Sequence, residues 1–383
     1  MRTLLRSVTC LAAATLFAGG AAAADLTVGV ITSLTGPVSS LGIPYAKGIA
    51  AGAAYKSDVE GNKIRVVQLD DASDPSAATR NARKLIEEEK VDVLIGTAGS
   101  PASLAIAAVA REQKVPLICI ANANLPGEAG SWMVTIPQPA PLMIAAVVEH
   151  MKKAGIKSLG YIGFSDAWGD LVYDSLMKTA DPGGIKVLTN ERYARADTSV
   201  TAQALKVVSA RPEAVITGGS GTPGALPYIA LAERGFRGPL YGTHALINPD
   251  FVRVGGAAVE GVIAPTGPVV VAEQLPESNP TRKVSMAFRE AFQKANGEPA
   301  RDAFSAYSFD AWLVFLDAAK RALPKAQPGT PEFRAALHEA IVSTKELVGT
   351  HAVYTFKPDD RYGVDERSRV VVKLEKGAWK LLP

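Results

Sequence analysis

The sequence predicts an α/β protein built as two doubly wound, Rossmann-like lobes joined by three hinge crossings. Apolar strand-like runs alternate with helical periods through most of the 383 residues, the pattern of a parallel sheet covered by helices. A proline-rich passage, Ile136-Pro137-Gln138-Pro139-Ala140-Pro141, divides that alternation into two similar series. Polar loops come after the apolar runs, at the strand ends where open α/β sheets bind ligands.

The first 24 residues read as an export signal rather than as fold. Arg2 and Arg6 form a basic n-region, 8–17 is a short apolar core, and 18–24 offers small residues for cleavage before Asp25. The core is too short to span a bilayer. Cys10 precedes most of it, which argues against lipoprotein cleavage. The expected compartment is a periplasm. The chain from Asp25 onward is long enough for two domains of ordinary size. The formal net charge is +3, or +1 without Arg2 and Arg6, so no basic field points to nucleic acid or membrane. Beyond the signal the only cysteine is Cys119, inside a predicted strand, and one buried thiol forms no internal disulfide.

Taken in order, strands are expected over 26–31, 64–69, 91–97 and 115–121. Helices fall between them over 39–57, 75–89 and 100–113, the second capped by Asp74-Pro75 and the third by Ser100-Pro101. The second series runs helix 142–154, strand 159–164, helix from Trp168, strand 185–189, helix 199–210, strand 214–217, helix 223–234 and strand 239–242. The tail breaks the rhythm, with helical periods over 279–296, 302–323 and 331–344 and strand-like runs over 351–356 and 369–374. Late helices joining one lobe and late strands the other give crossings near 137–141, 265–268 and 350–354. The expected division is 25–141 with 269–350 as one lobe, and 142–268 with 351–383 as the other.

The most informative stretch runs from Val91 to Gly127. Its loops 96–100 and 122–124 leave the carboxyl ends of neighbouring parallel strands. The first of them enters a helix N-terminus, whose free N–H groups favour an anion. This is the pattern of a small-molecule site, and of a carboxylate site. Gly99 and Ser100 from one loop and Asn122 and Asn124 from the other are its contact candidates.

Enzyme motifs mostly fail. The four histidines, His150, His244, His338 and His351, make neither HExxH nor a Cys/His zinc spacing. Gly218-Gly219-Ser220-Gly221-Thr222 approaches a nucleophile elbow but lacks its final glycine. The acidic run Asp70-Asp71-Ala72-Ser73-Asp74 lacks the glycine and closing glutamate of a calcium loop and reads as a strand end leading to a helix cap. No cofactor and no metal are expected.

Export, two lobes, three crossings and polar strand-end loops together resemble a type I solute-binding protein. The chain is most similar to the Leu/Ile/Val-binding family that serves ATP-driven importers. The motifs are Val28-Gly29-Val30 with Leu34-Thr35-Gly36-Pro37, Ile95-Gly96 with Ser100, Trp168-Gly169-Asp170, and Gly242-Thr243-His244. The resemblance implies that Ser100 and the residue at Asn124, a threonine in amino-acid binders, hold the ligand carboxylate. It implies a backbone carbonyl at Asn122 for the ammonium and an aromatic wall at Trp168. Leu41 replaces a first-loop aromatic, and 220–222 replaces another, so that space is expected near Ser220 and Thr222.

His244 stands where the resemblance implies a glutamate for the ligand ammonium. Leaving an ammonium buried without a counter-ion costs several kcal/mol, more than one or two neutral hydrogen bonds return. Asp166 and Asp71 are the candidates to replace that glutamate. Ser40-Leu41-Gly42-Ile43-Pro44 with Tyr241-Gly242-Thr243-His244 resembles the subgroup linked to uptake of aromatic acids. The expectation is a monomeric receptor that hands a small aromatic carboxylate, benzoate- or hydroxycinnamate-like, to an ABC permease by hinge closure. The alternatives are a branched-chain amino acid or amide binder of the same family, a sensor for a membrane receptor, and an exported hydrolase or lyase using His244 with Ser220 or Asp166.

Overall fold

A computed structural model describes residues 25–383, and the expected export signal lies outside them. Six strands form the first sheet: β1 (Leu26–Thr32), β2 (Asp58–Val59), β3 (Asn62–Asp70), β4 (Val93–Gly96), β5 (Leu117–Cys119) and β6 (Met133–Thr135). Their order is β2-β3-β1-β4-β5-β6, parallel except at β2. Every residue of β1 is buried, as a central strand covered on both faces requires. Helices α1 (Ser39–Tyr55), α2 (Pro75–Glu87) and α3 (Ser100–Gln113) connect these strands. The chain turns from β3 back across β1 to β4, which places a switch point at the carboxyl ends of β1 and β4.

The second unit begins with α4 (Ala140–Lys153) and continues β7 (Ser158–Phe164), α5 (Ala167–Ala180), β8 (Lys186–Tyr193), α6 (Thr201–Ser209) and β9 (Ala214–Gly218). It goes on through α7 (Leu226–Glu233), β10 (Leu240–Tyr241), α8 (Pro249–Gly255) and β11 (Ile263–Thr266). After α9 (Arg282–Asn296), α10 (Phe304–Ala322) and α11 (Pro331–Val342) come the small ladder β12 (Leu347–Val348) with β13 (Val353–Tyr354), then β14 (Val370–Glu375) and β15 (Ala378–Leu381). The second sheet runs β15-β14-β11-β10-β9-β7-β8, with β14 and β15 antiparallel at one edge.

Two expectations shift. Residues 265–268, expected as a crossing, begin inside a strand, since Pro265 belongs to β11. The proline is tolerated because β10 pairs with β11 only at Ile263, which leaves that side without a ladder bond to lose. The run 351–356, expected in the second lobe, packs instead with the helices of the first. The backbone N–H groups of Thr350 and His351 donate to Asp310 in α10, at 2.7 and 3.0 Å, and the Tyr354 hydroxyl donates to the same carboxyl at 2.9 Å. Cys119 is buried and free, and burial pushes its thiol up to about 11.

The passages between the sheets converge on Gln138. Its Nε2 donates to the Ser368 carbonyl at 2.7 Å, and its Oε1 accepts from the Tyr307 hydroxyl at 2.7 Å. Gly267 lies so close that a Cβ there would collide with His351 Nδ1 and stand 2.7 Å from Gln138 Nε2.

Candidate ligand-binding cleft

Between the sheets lies a cleft with about 360 Å3 of space outside atoms, part of it open to solvent. Its walls come from strand carboxyl ends. Ser100 comes after β4, Asn122 after β5, Trp168 after β7, Arg195 after β8, Ser220 after β9 and His244 after β10. Leu41, Tyr45, Phe304 and Tyr307 complete it from α1 and α10. The fold therefore brings Leu41, Ser100, Asn122, Trp168, Ser220 and His244 together.

Three other candidates stand apart. Asn124 is exposed and outside the lining, because the preceding Ala123 carbonyl accepts from Thr135 and Tyr362 and turns the loop outward. Thr222 serves contact between the lobes: its N–H donates to Ser40 Oγ in α1 at 3.1 Å. Gly99 occupies the cap position expected of Ser100, with φ −110° and ψ 138° and no side-chain bond. Ser100 is the first helical residue. With a glycine cap, and with Pro101 lacking an N–H, the N–H groups of Ser100 and Ala102 in the first turn of α3 have no side-chain cap, and the hydroxyl of Ser100 is not spent on capping. The space expected near 220–222 is filled as well. A Cβ on Gly221 would collide with Leu41 Cδ1 and meet Ser40 Oγ at 2.5 Å.

His244 is buried, with its ring edge-on to Trp168 at 5.6 Å between centroids. Asn122 Nδ2 lies 3.0 Å from the Gln138 carbonyl and 3.0 Å from His244 Nε2. A carbonyl only accepts, so Nδ2 is the donor in both contacts and His244 Nε2 accepts. Burial pushes the His244 imidazole down to about 3, so the ring is neutral at ordinary pH. Trp168 is held in place by its indole N–H on the Gly219 carbonyl at 3.3 Å.

Arg195, which the sequence did not mark out, is the one ionised side chain of the lining. Its guanidinium donates to Asp166 at 2.5 Å and to Ser220 Oγ at 2.9 Å, and it stacks 4.2 Å over the Phe164 ring. Asp166 also caps α5, accepting from the N–H groups of Trp168 and Gly169. Asp71 accepts from Ser33 Oγ at 2.6 Å, from Ser73 N–H at 2.9 Å and from the Thr97 hydroxyl. Neither carboxylate faces the cleft with spare capacity for an ammonium. Ser220 bonds Arg195 and His244 bonds Asn122, so the described residues hold no Ser–His pair. They also hold no group of His, Cys, Asp and Glu suited to a metal ion, and no helix among them is long and apolar enough to cross a membrane.

A family model described as periplasmic binding protein matches residues 25–364. The chain belongs to the type I periplasmic binding proteins of the Leu/Ile/Val-binding kind and is a solute-binding receptor of that family. An extracellular ligand-binding receptor from Rhodopseudomonas palustris is 40% identical, with a TM-score of 0.91 over 94% of this chain and 100% of its own. The Leu/Ile/Val-binding protein homolog 1 of Brucella suis is 26% identical over 331 residues, 84% of this chain and 85% of its own length. A solute-binding protein of an R. palustris ABC transporter, solved with benzoate, shares the fold at 23% identity, with a TM-score of 0.77 over 94% and 95% of the two chains. At that identity the likeness concerns fold alone.

Proposed function

We propose that this receptor captures a small aromatic carboxylate by closure of its two lobes, performs no chemistry on it, and delivers it to an ABC permease. It works as a monomer in the periplasm, where residues 1–24 direct its export. One observation carries the reading: the cleft lining holds a cation, Arg195, and no anion. A free α-amino acid would bury its ammonium there without a counter-ion, at a cost of several kcal/mol. A carboxylate meets the Ser100 hydroxyl and the uncovered first turn of α3, a position favourable by about 0.3–1 kcal/mol at an exposed terminus and about 2 when partly buried. The rings of Trp168, Tyr45, Phe304 and Tyr307 supply walls for a flat apolar body.

The Leu/Ile/Val-binding names of the Brucella relatives favour a second reading, a branched-chain amino acid ligand. A thermal-shift screen of ligand-stripped protein separates the two. Millimolar ligand over a micromolar site stabilises by about 4 kcal/mol. Upward shifts are expected with benzoates, phenylacetate or cinnamates and none with leucine, isoleucine or valine. The reverse pattern would sink the aromatic reading.

A further inference from the structure

Gln138 is fully buried and lies outside the cleft lining, yet it holds two of the side chains that form that lining. Its carbonyl accepts from Asn122 Nδ2 at 3.0 Å, and its Oε1 accepts from the Tyr307 hydroxyl at 2.7 Å. A third contact fixes the amide's orientation. The Ser368 carbonyl, 2.7 Å away, only accepts, so Nε2 stands on that side and donates. The Tyr307 ring is also stacked on His351, 3.8 Å between centroids and 14° from parallel.

The same residue meets all three passages between the sheets. It belongs to the first, between β6 and α4. Gly267 follows β11 in the second, and a Cβ there would stand 2.7 Å from Gln138 Nε2. Ser368 comes two residues before β14 in the third. Opening two lobes turns such passages against one another. The opposite lobe reaches the same cluster through His244, whose Nε2 accepts from Asn122 at 3.0 Å.

We infer that Gln138 is a positioning residue, which ties the placement of Asn122 and Tyr307 to the joined state of the three passages, so that the cleft is fully formed only when the lobes are closed. This concerns the mechanics of the receptor and holds for any solute the cleft takes.

Gln138→Glu tests it with a built-in reversal. The ionised carboxylate still accepts from Tyr307 but sets lone pairs against the Ser368 carbonyl. Once protonated, the carboxyl accepts from Tyr307 and donates to Ser368, as the amide does. Burial raises the pKa of such a carboxyl, so both forms are reached between about pH 5 and about pH 8. Around it, burial pushes His244 and His351 down to about 3 and holds Tyr307 well above its ordinary range, so none of them titrates there. Asp310, joined through the Tyr354 hydroxyl to the Ile136 carbonyl, is pushed up to about 6 by burial, so the variant is compared with wild type at each pH.

Small-angle scattering without ligand and calorimetry with benzoate and cinnamate supply the readouts. At about pH 8 the variant is expected to have a larger radius of gyration than wild type. It should also bind about tenfold or more weakly there, since a buried hydrogen bond has become a repulsion. At about pH 5 its radius should match wild type and its affinity come within about threefold. A loss equal at both pH values would overturn the inference, as would a variant indistinguishable from wild type throughout. If Gln138→Glu fails to fold, Gln138→Met keeps the shape and loses both side-chain bonds. Its expected result is the larger radius and the weaker binding at every pH, and wild-type behaviour would overturn the inference. Should neither acid bind wild type, the aromatic reading falls, and the ligand-free scattering decides this one alone.

Discussion

Arg195 shows how a decisive side chain escapes a reading of the sequence. In Tyr193-Ala194-Arg195-Ala196-Asp197 it looks like any solvated cation at a strand end. Only the sheet order, with β7 between β8 and β9, carries it to Asp166 and Ser220. Its position at a strand's carboxyl end was the available signal. Replacing it with glutamine is expected to lower ligand affinity at least tenfold. The same change should destabilise the fold by about 1–3 kcal/mol, because Asp166 loses its cation in a largely buried place. Calorimetry and urea denaturation would read the two effects separately. His244 was legible as the odd residue of its motif, but its neutrality comes from burial that only packing reveals. His244 and His351 are both pushed down to about 3 by burial, against about 6.5 in an unfolded chain. Between those values the unfolded state binds more protons, so stability falls as pH drops from about 6.5 toward 3. The slope is about 1.4 kcal/mol per pH unit for each ring. Melting temperatures across that range should show the decline, and His351→Phe should flatten it by one proton's share. A curve unchanged in the variant would contradict the assignment.

At the scale of elements, long periodic segments were readable and short or proline-bearing ones were not. The helices α2, α4 and α9 fall within a few residues of their expected bounds because each buries one periodic face, and α10 does so as a long apolar segment buried nearly all round over 304–312. Strand β6 has three residues, too few for any period to register, and β11 hides a proline that its sparse pairing permits. The helix α1 illustrates a contact no pattern announces. A Cβ on Gly48 would collide with the Ser305 carbonyl and with Ser308 Oγ in α10. Gly48→Ala gains about 1 kcal/mol of helix propensity but overpacks a contact at a cost of about 1–3 kcal/mol. The net expected change is destabilising. It should also disturb Tyr45, whose carbonyl accepts from Ser308 Oγ at 2.8 Å and whose ring lines the cleft. A variant as stable as wild type in urea would show that α1 and α10 can move apart freely.

For the whole molecule, the closing of two lobes on a ligand requires residues from both at one place, and Asn122 with His244 provides that meeting. Small-angle scattering should show a smaller radius of gyration with a bound acid than without. An unchanged radius would remove hinge closure from the account. Two βα series could be traced in the chain, since alternation and the prolines of 136–141 mark them. Which passage touches which could not, because Gln138, Ser368 and Gly267 meet only in three dimensions.

The Ser40–Thr222 contact bridges the lobes without belonging to the cleft lining. An apparent affinity is an intrinsic one multiplied by the fraction of molecules in the competent shape. Ser40→Ala lowers that fraction alone, so every acid in a panel should weaken by one common factor while their ranking stays fixed. This receptor can thus be retuned to richer or poorer surroundings from its rim, with its discrimination between compounds left untouched.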